Sequence, residues 1–152
     1  MTKNKLMIKV PGKLMVAGEF AVLVPNQHLA VTAVDRFVYA TIEDSSERLL
    51  SLLDYNLEDL KWNVDGGEIT VASTDERLSF VKEAMRVTIT YLNEKGTNID
   101  SFKVSVKSEL DDQSGVKYGL GSSAAVVVAV VTAIMARFAE GELDKDIIFK
   151  IY

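Results

Sequence analysis

Lys117-Tyr118-Gly119-Leu120-Gly121-Ser122-Ser123-Ala124-Ala125 runs directly into the apolar segment Val126 to Met135. A glycine-rich turn that opens a long helix gathers unpaired backbone N–H groups and the positive end of the helix dipole in one place, and that combination holds phosphate. Gly119 and Gly121 admit positive φ and a close approach of backbone to ligand. Ser122 and Ser123 can cap the helix, and their hydroxyls can reach phosphate oxygens or a Mg²⁺ that accompanies them. Ala124 and Ala125 let the first turn lie against other backbone, and Lys117 brings a positive charge to the turn.

Spacing separates the nucleotide motifs that compete for this stretch. A Walker A loop needs Lys followed by Ser or Thr after its last Gly, whereas Lys117 precedes both glycines, so that reading fails. A dinucleotide fingerprint G-x-G-x-x-A is present at Gly119, Gly121 and Ala124, but it expects a buried strand ending at the first Gly. The nearest strand pattern, Phe102 to Glu109, ends well before Gly119 and alternates Phe102, Val104 and Val106 with Lys103, Ser105 and Lys107, the mark of a half-exposed strand. An ordinary Gly-Ser loop capping a buried helix is the reading without a function.

The 152 residues, 48% apolar and 26% charged, suffice for one domain with one sizeable core. Seventeen basic against 22 acidic side chains leave a net charge of −5, which disfavours an electrostatic nucleic-acid or membrane surface. Any anion must therefore be held by local geometry. There is no cysteine, hence no disulfide and no thiolate metal site, which suits a cytoplasmic protein. Lys3, Lys5 and Lys9 interrupt the N-terminal apolar stretch, so no secretory signal is read there. The most apolar segment, Ala124 to Ala136, is shorter than the ~18 to 20 residues of a spanning helix.

Working outward, Lys5 to Val10 alternates as a strand that is expected to end at Pro11-Gly12, with Leu14 to Ala17 a second short strand broken by Gly18-Glu19. Leu29 to Val34 and Arg36 to Glu43 read as two further runs separated by Asp35. With Leu49 to Leu53, Lys61 to Val64 and Glu68 to Val71 they form an antiparallel set, and Asp65-Gly66-Gly67 is a hairpin turn. Ser73-Thr74-Asp75-Glu76 has the spacing of a capping box. Leu78, Val81, Ala84, Met85, Ile89 and Leu92 then recur at helical spacing up to Gly96. The helix from Ser122 is expected to stop at Gly141, and Asp144 to Tyr152 starts another. These periods define an α+β fold, a mostly antiparallel sheet with helices on one side.

Several side chains carry a structural reading beside a functional one. Lys13 after Pro11-Gly12 reads as a surface cation, and Glu19 as a solvated carboxylate at an element boundary. His28, the single histidine, lies in the Pro25-Asn26-Gln27-His28 turn and reads as an exposed loop residue. Trp62 reads as core packing rather than a base platform. Asp111-Asp112 could suggest a Mg²⁺ or acid/base pair, but adjacent carboxylates in a polar loop read as solvated.

Gly119 to Ala125 resembles the GLGSSAA phosphate loop of the GHMP kinases, which phosphorylate small metabolites. Val10-Pro11-Gly12-Lys13 through Gly18-Glu19-Phe20-Ala21-Val22-Leu23 is similar to the family's N-terminal PGK…GE…AV motif. With Lys117-Tyr118 and Ala33-Val34-Asp35-Arg36, the combination is most similar to the bacterial phosphomevalonate kinase branch. Gly115 stands where the family commonly has Pro, a small departure, since Gly can make the same turn.

The resemblance implies the family's N-terminal fold, ribosomal protein S5 domain 2-like with a left-handed β-α-β unit, which general handedness rules would not suggest. It implies ATP and Mg²⁺ as cofactors, with ATP phosphates held by Lys117, Gly119, Leu120, Gly121, Ser122, Ser123 and Ala124, and Mg²⁺ touched by Ser123. Lys13 would be catalytic and bind the acceptor, and Glu19 would line the acceptor site. The implied reaction converts phosphomevalonate to diphosphomevalonate in the mevalonate pathway of isoprenoid biosynthesis. Mevalonate kinase, or another GHMP small-molecule kinase, is the alternative, and a non-catalytic nucleotide-sensing or interaction domain is the rival of another class. Residues 1–152 match only the N-terminal part of the family's length. The expectation is therefore an ATP-binding domain, truncated and inactive alone, whose catalytic Asp and C-terminal half lie elsewhere, for instance on a second chain. Neither nucleic acid nor membrane is expected as a partner.

Overall fold

The computed structural model describes residues 4–112, 114 and 118–151. Strand β1 (Lys5–Ala17) pairs antiparallel with β2 (Ala30–Asp44), and β2 with β6 (Phe102–Ser108). β6 then takes β3 (Leu49–Leu52) as a parallel neighbour. β4 (Leu57–Asp65) and β5 (Glu68–Val71) complete a six-stranded sheet in the order β1-β2-β6-β3-β4-β5. The single parallel pair, β3 with β6, is the one that needs a long crossover, and β4, β5 and helix α1 (Ser79–Glu94) supply it. Helix α2 (Ser122–Phe138) and the short α3 (Lys145–Ile151) follow. The class is α+β, as the periodicity predicts.

The two faces of the sheet differ as the period of two requires. Val38, Ala40 and Ile42 of β2, Leu50 and Leu52 of β3, and Phe102, Val104 and Val106 of β6 are buried under α1 and α2. Met7, Tyr39, Thr41, Ser105 and Lys107 lie on the other face around a shallow open depression. Within the core, Trp62, Phe102 and Phe138 form a chain of tilted rings with centroids 4.9 and 5.4 Å apart. Trp62 is thus a packing residue, as expected. α1 buries Val81, Ala84, Met85, Ile89 and Leu92, the stripe read from the sequence, with Leu78 buried just before it, and buries Thr88 as well. It ends in a Schellman arrangement: Gly96 is left-handed at φ 75°, and the Thr97 amide reaches back to the Leu92 carbonyl at 3.0 Å.

Boundaries differ from expectation at Pro11-Gly12, Asp35, Ser73 and Gly141. Pro11-Gly12 does not end the first strand, and Asp35 does not divide the second. Pro11 pairs with Phe37 and Lys13 with Ala33, so both interruptions fall in one irregularity of the β1–β2 ladder, where the missing Pro N–H is not needed. The apolar run Phe20 to Val24 contains a 3₁₀ turn, Ala21–Leu23. No capping box forms at Ser73: its Oγ accepts the Asp75 amide, and Asp75 itself caps a 3₁₀ turn by accepting the Arg77 amide at 3.0 Å. At the end of α2 the extended residue Ala139, not Gly141, is the C-cap. The Asp65 hairpin turns on Gly66 and Gly67, both at positive φ as a tight two-residue turn demands.

Candidate functional site

Two segments distant in sequence meet at one corner. The amide of Lys13 donates to the carbonyl of Leu120 at 2.9 Å. Gly12 is buried there, and a Cβ on it would lie 2.6 Å from Leu110 Cδ2 and 3.1 Å from the Leu120 oxygen, so only glycine lets β1 pass this close. The Lys13 stem lies along Gly121, where a Cβ would meet Lys13 Cγ and Cε at 3.1 Å. Lys13 is otherwise exposed, its cation free to reach a ligand lying over the loop.

Gly121 is left-handed (φ 70°, ψ 37°) and serves as the N-cap of α2. The first intrahelical bond runs from the Ala125 amide to the Gly121 carbonyl, so the amides of Ser122, Ser123 and Ala124 have no partner within the helix. Ser122 and Ser123 are therefore the opening residues of the helix and not its cap, a correction to the sequence reading. Among the described residues neither hydroxyl makes a hydrogen bond, and both face the cavity described below. Gly119, at φ 73°, has open space where a side chain would be. Leu120 contributes packing against the core and the carbonyl that fixes Lys13. Among the described residues no strand leads into Gly119, and β6 ends at Ser108, so the dinucleotide reading gains no support.

The remaining expected residues are placed as follows. Glu19 is exposed beyond the end of β1 and makes no ion pair among the described residues. Next to it Gly18 turns at φ 90°, where a Cβ would lie 2.3 Å from the His28 carbonyl oxygen. His28 is exposed, as read. Asp112 accepts the Ser114 hydroxyl at 2.7 Å. Lys117 and Gly115 lie outside the described residues. No cluster of three or more His, Cys, Asp or Glu able to hold a metal occurs among the described residues. A Mg²⁺ carried by nucleotide phosphates keeps most of its water and needs one or two protein oxygens, which the unbonded Ser123 hydroxyl fits.

What sequence reading missed is a cavity of about 260 Å³ beside the helix N-terminus. Leu52, Tyr55, Phe80 and Val126 are among its apolar walls, and Ser122 and Ser123 are among its polar ones. Arg77 borders it, its guanidinium 4.3 Å above the Tyr55 ring and bound to both oxygens of Asp75 at 2.9 and 2.5 Å. That bidentate pairing holds the Asp75 carboxyl down at about 2. Burial raises the Tyr55 phenol, and the nearby negative charge of Asp111 raises it further. Phe80 carried the readable signal: it is 50% exposed and lies off the buried stripe of α1.

This corner and this sheet define the N-terminal domain of the GHMP kinases, and the chain belongs to that family: residues 79–152 match the profile described as "GHMP kinases N terminal domain". Within the family it is similar to phosphomevalonate kinase from Streptomyces sp. (strain CL190), at 34% identity over 93% of this chain and 40% of that protein. It is also similar to mevalonate kinase from Archaeoglobus fulgidus, at 28% identity over 96% of this chain and 43% of that protein. Among solved structures, Streptococcus pneumoniae phosphomevalonate kinase in complex with phosphomevalonate and AMPPNP superposes with a TM-score of 0.76 at 25% identity, over 96% of this chain and 40% of that one. The chain thus spans about two fifths of the length of the curated relatives it matches. These relatives are kinases.

Proposed function

We propose that residues 1–152 are the nucleotide-holding domain of an ATP-dependent kinase that converts phosphomevalonate to diphosphomevalonate, with a further C-terminal domain in the same or a second chain completing the site. The observation that carries this reading is the Lys13 to Leu120 contact, which brings the Pro-Gly-Lys corner over the open end of α2. Phosphoryl transfer asks mainly for positioning and charge compensation. The free amides of Ser122, Ser123 and Ala124 hold the β- and γ-phosphates at the positive end of the helix dipole. The base and ribose then lie in the cavity that continues from Ser122 and Ser123. The Ser123 hydroxyl would contact a Mg²⁺ carried by the nucleotide, which would supply charge compensation on the same phosphates.

An oxygen of the acceptor's phosphate forms a bond to the γ-phosphorus as the bond to the β–γ bridging oxygen breaks, and ADP leaves with that electron pair. Lys13 compensates the charge that accumulates between the two phosphate groups, and Glu19 lines the acceptor side. Lys117 adds a second cation on the loop. A phosphate monoester, with its second ionisation near pH ~6, already presents an ionised nucleophile at neutral pH, whereas an alcohol must lose a proton. The acceptor assignment rests on similarity to phosphomevalonate kinases, and the reaction belongs in the cytoplasm with the small-molecule pool. No described helix is long and apolar enough to cross a membrane.

The deciding measurement is ADP release by the whole natural protein with phosphomevalonate and, separately, with mevalonate. Turnover with the phosphorylated acceptor alone supports the proposal, and turnover with mevalonate alone replaces it by mevalonate kinase. Thermal stabilisation by ATP without turnover on either acceptor would favour a nucleotide-sensing domain.

A further inference from the structure

The charged groups around the cavity beside α2 are not equally engaged. Asp54 Oδ2 accepts the Ser108 amide at 2.5 Å, and Asp75 takes up the Arg77 guanidinium. Glu76 is exposed at the rim. Asp111 is the exception. It lines the cavity, its Oδ1 is buried without any hydrogen-bond partner, and it forms no ion pair among the described residues. A buried acceptor left without a donor is a standing cost to the fold and marks a place where a ligand's donor is worth more than elsewhere. We propose that the Asp111 carboxylate is the nucleoside-reading group of this cavity, accepting a hydrogen bond from a donor on the nucleoside half of the bound nucleotide.

This rests on the nucleotide reading given above and adds a specificity-determining residue to it. The class of donor follows from the surroundings. The cavity that Asp111 lines also has Leu52, Tyr55, Phe80 and Val126 among its walls, which suit a flat base and a sugar. A divalent cation needs about six oxygen ligands, and no group of three or more His, Cys, Asp or Glu able to hold one occurs among the described residues. The donor is therefore a neutral N–H or O–H, either the exocyclic amine of adenine or a ribose hydroxyl. χ2 of an aspartate is a soft torsion, so the carboxylate can turn to present an oxygen to either one.

A ligand–protein double-mutant cycle tests this in the whole natural protein. Dissociation constants are measured by titration calorimetry, without acceptor, for ATP, purine riboside triphosphate (which lacks the amine), 2′-deoxy-ATP and 3′-deoxy-ATP. Wild type should bind one of the three analogues ~10- to 100-fold more weakly than ATP, the range for a hydrogen bond to a charged group. Asp111→Ala should weaken ATP by a similar factor and abolish the discrimination against that analogue alone. The analogue that couples identifies the donor as amine or hydroxyl. Asp111→Asn, which keeps the shape and loses the charge, runs the same cycle if the alanine variant does not fold, and a discrimination reduced at least ~3-fold is expected there. Equal affinity of wild type for all four nucleotides, or discrimination that neither substitution changes, overturns the role of Asp111 while leaving the nucleotide site standing. Absence of ATP binding by wild type overturns both.

Discussion

Lys13 and Leu120 are joined by a main-chain hydrogen bond of 2.9 Å, and the Lys13 side chain runs on from that point along the α-carbon of Gly121. Backbone therefore fixes where the lysine starts, and a glycine fixes the track along which its stem lies. The cation is aimed by the fold without a carboxylate partner among the described residues.

Lys13→Met keeps an apolar stem of similar length over Gly121 and removes only the charge. It should leave stability within about 0.5 kcal/mol, as surface changes do. Activity of the whole protein should fall by about 10²-fold or more in kcat, the scale for losing one preorganised electrostatic contact at a reacting group. Thermal melts and steady-state rates check the two halves of this expectation together.

Gly119→Ala and Gly121→Ala should be distinguishable. Both residues are left-handed, so each substitution should cost about 1–2 kcal/mol of stability, read by urea denaturation. The Gly119 methyl enters open space on the ligand side, so ATP affinity falls. The Gly121 methyl pushes on the Lys13 stem, so kcat falls more than affinity does.

Ser123→Ala removes a hydroxyl that has no hydrogen bond among the described residues, so the fold loses little. A fall of about 10²-fold in kcat, with the melting temperature unchanged, is the expected result. Near wild-type turnover would remove Ser123 from the site.

Asp75 supplies a pH-dependent contribution. Its folded-state pKa is depressed to about 2 by the Arg77 side chain and amide, below the ~3.9 of a free carboxyl. A depressed value means stabilisation that is fully present above the unfolded pKa and disappears as pH falls toward the folded one. Comparing wild type with Asp75→Asn by denaturation between pH ~5 and ~2 should show a gap that is constant at the upper end and closes at the lower. A gap independent of pH would assign the effect to capping alone.

The sheet strands, the buried stripe of α1 and the Gly66-Gly67 hairpin were legible in the sequence because each depends on local periodicity or on a turn that only certain residues make. The conjunction of the Pro-Gly-Lys corner with the glycine loop was legible only through likeness to a family, since periodicity does not reveal which distant segments touch. The fusion of the first strands was missed because Pro11, Gly12 and Asp35 look like breakers singly, whereas paired across one ladder irregularity they cancel. The cavity was missed for a related reason: Leu52 and Tyr55, Phe80, and Asp111 come from three segments distant in sequence, the end of β3 with the turn after it, the start of α1, and the stretch after β6. Asp111 looked like half of a solvated acidic pair, and nothing local distinguishes it from Asp112. What separates them is three-dimensional, a Ser114 hydroxyl for one and an orphaned oxygen for the other.

The long separation between Lys13 and Leu120 also sets a rule about timing. Domains assemble as units, and closing a loop this long costs entropy that grows with its length, so this corner forms only when β1 is laid down and the start of α2 has docked beside it. A nascent chain still on the ribosome has the glycine-flanked lysine early and the helix mouth late. Whatever the corner holds can thus be captured only by a finished domain, which spares incomplete chains from sequestering it.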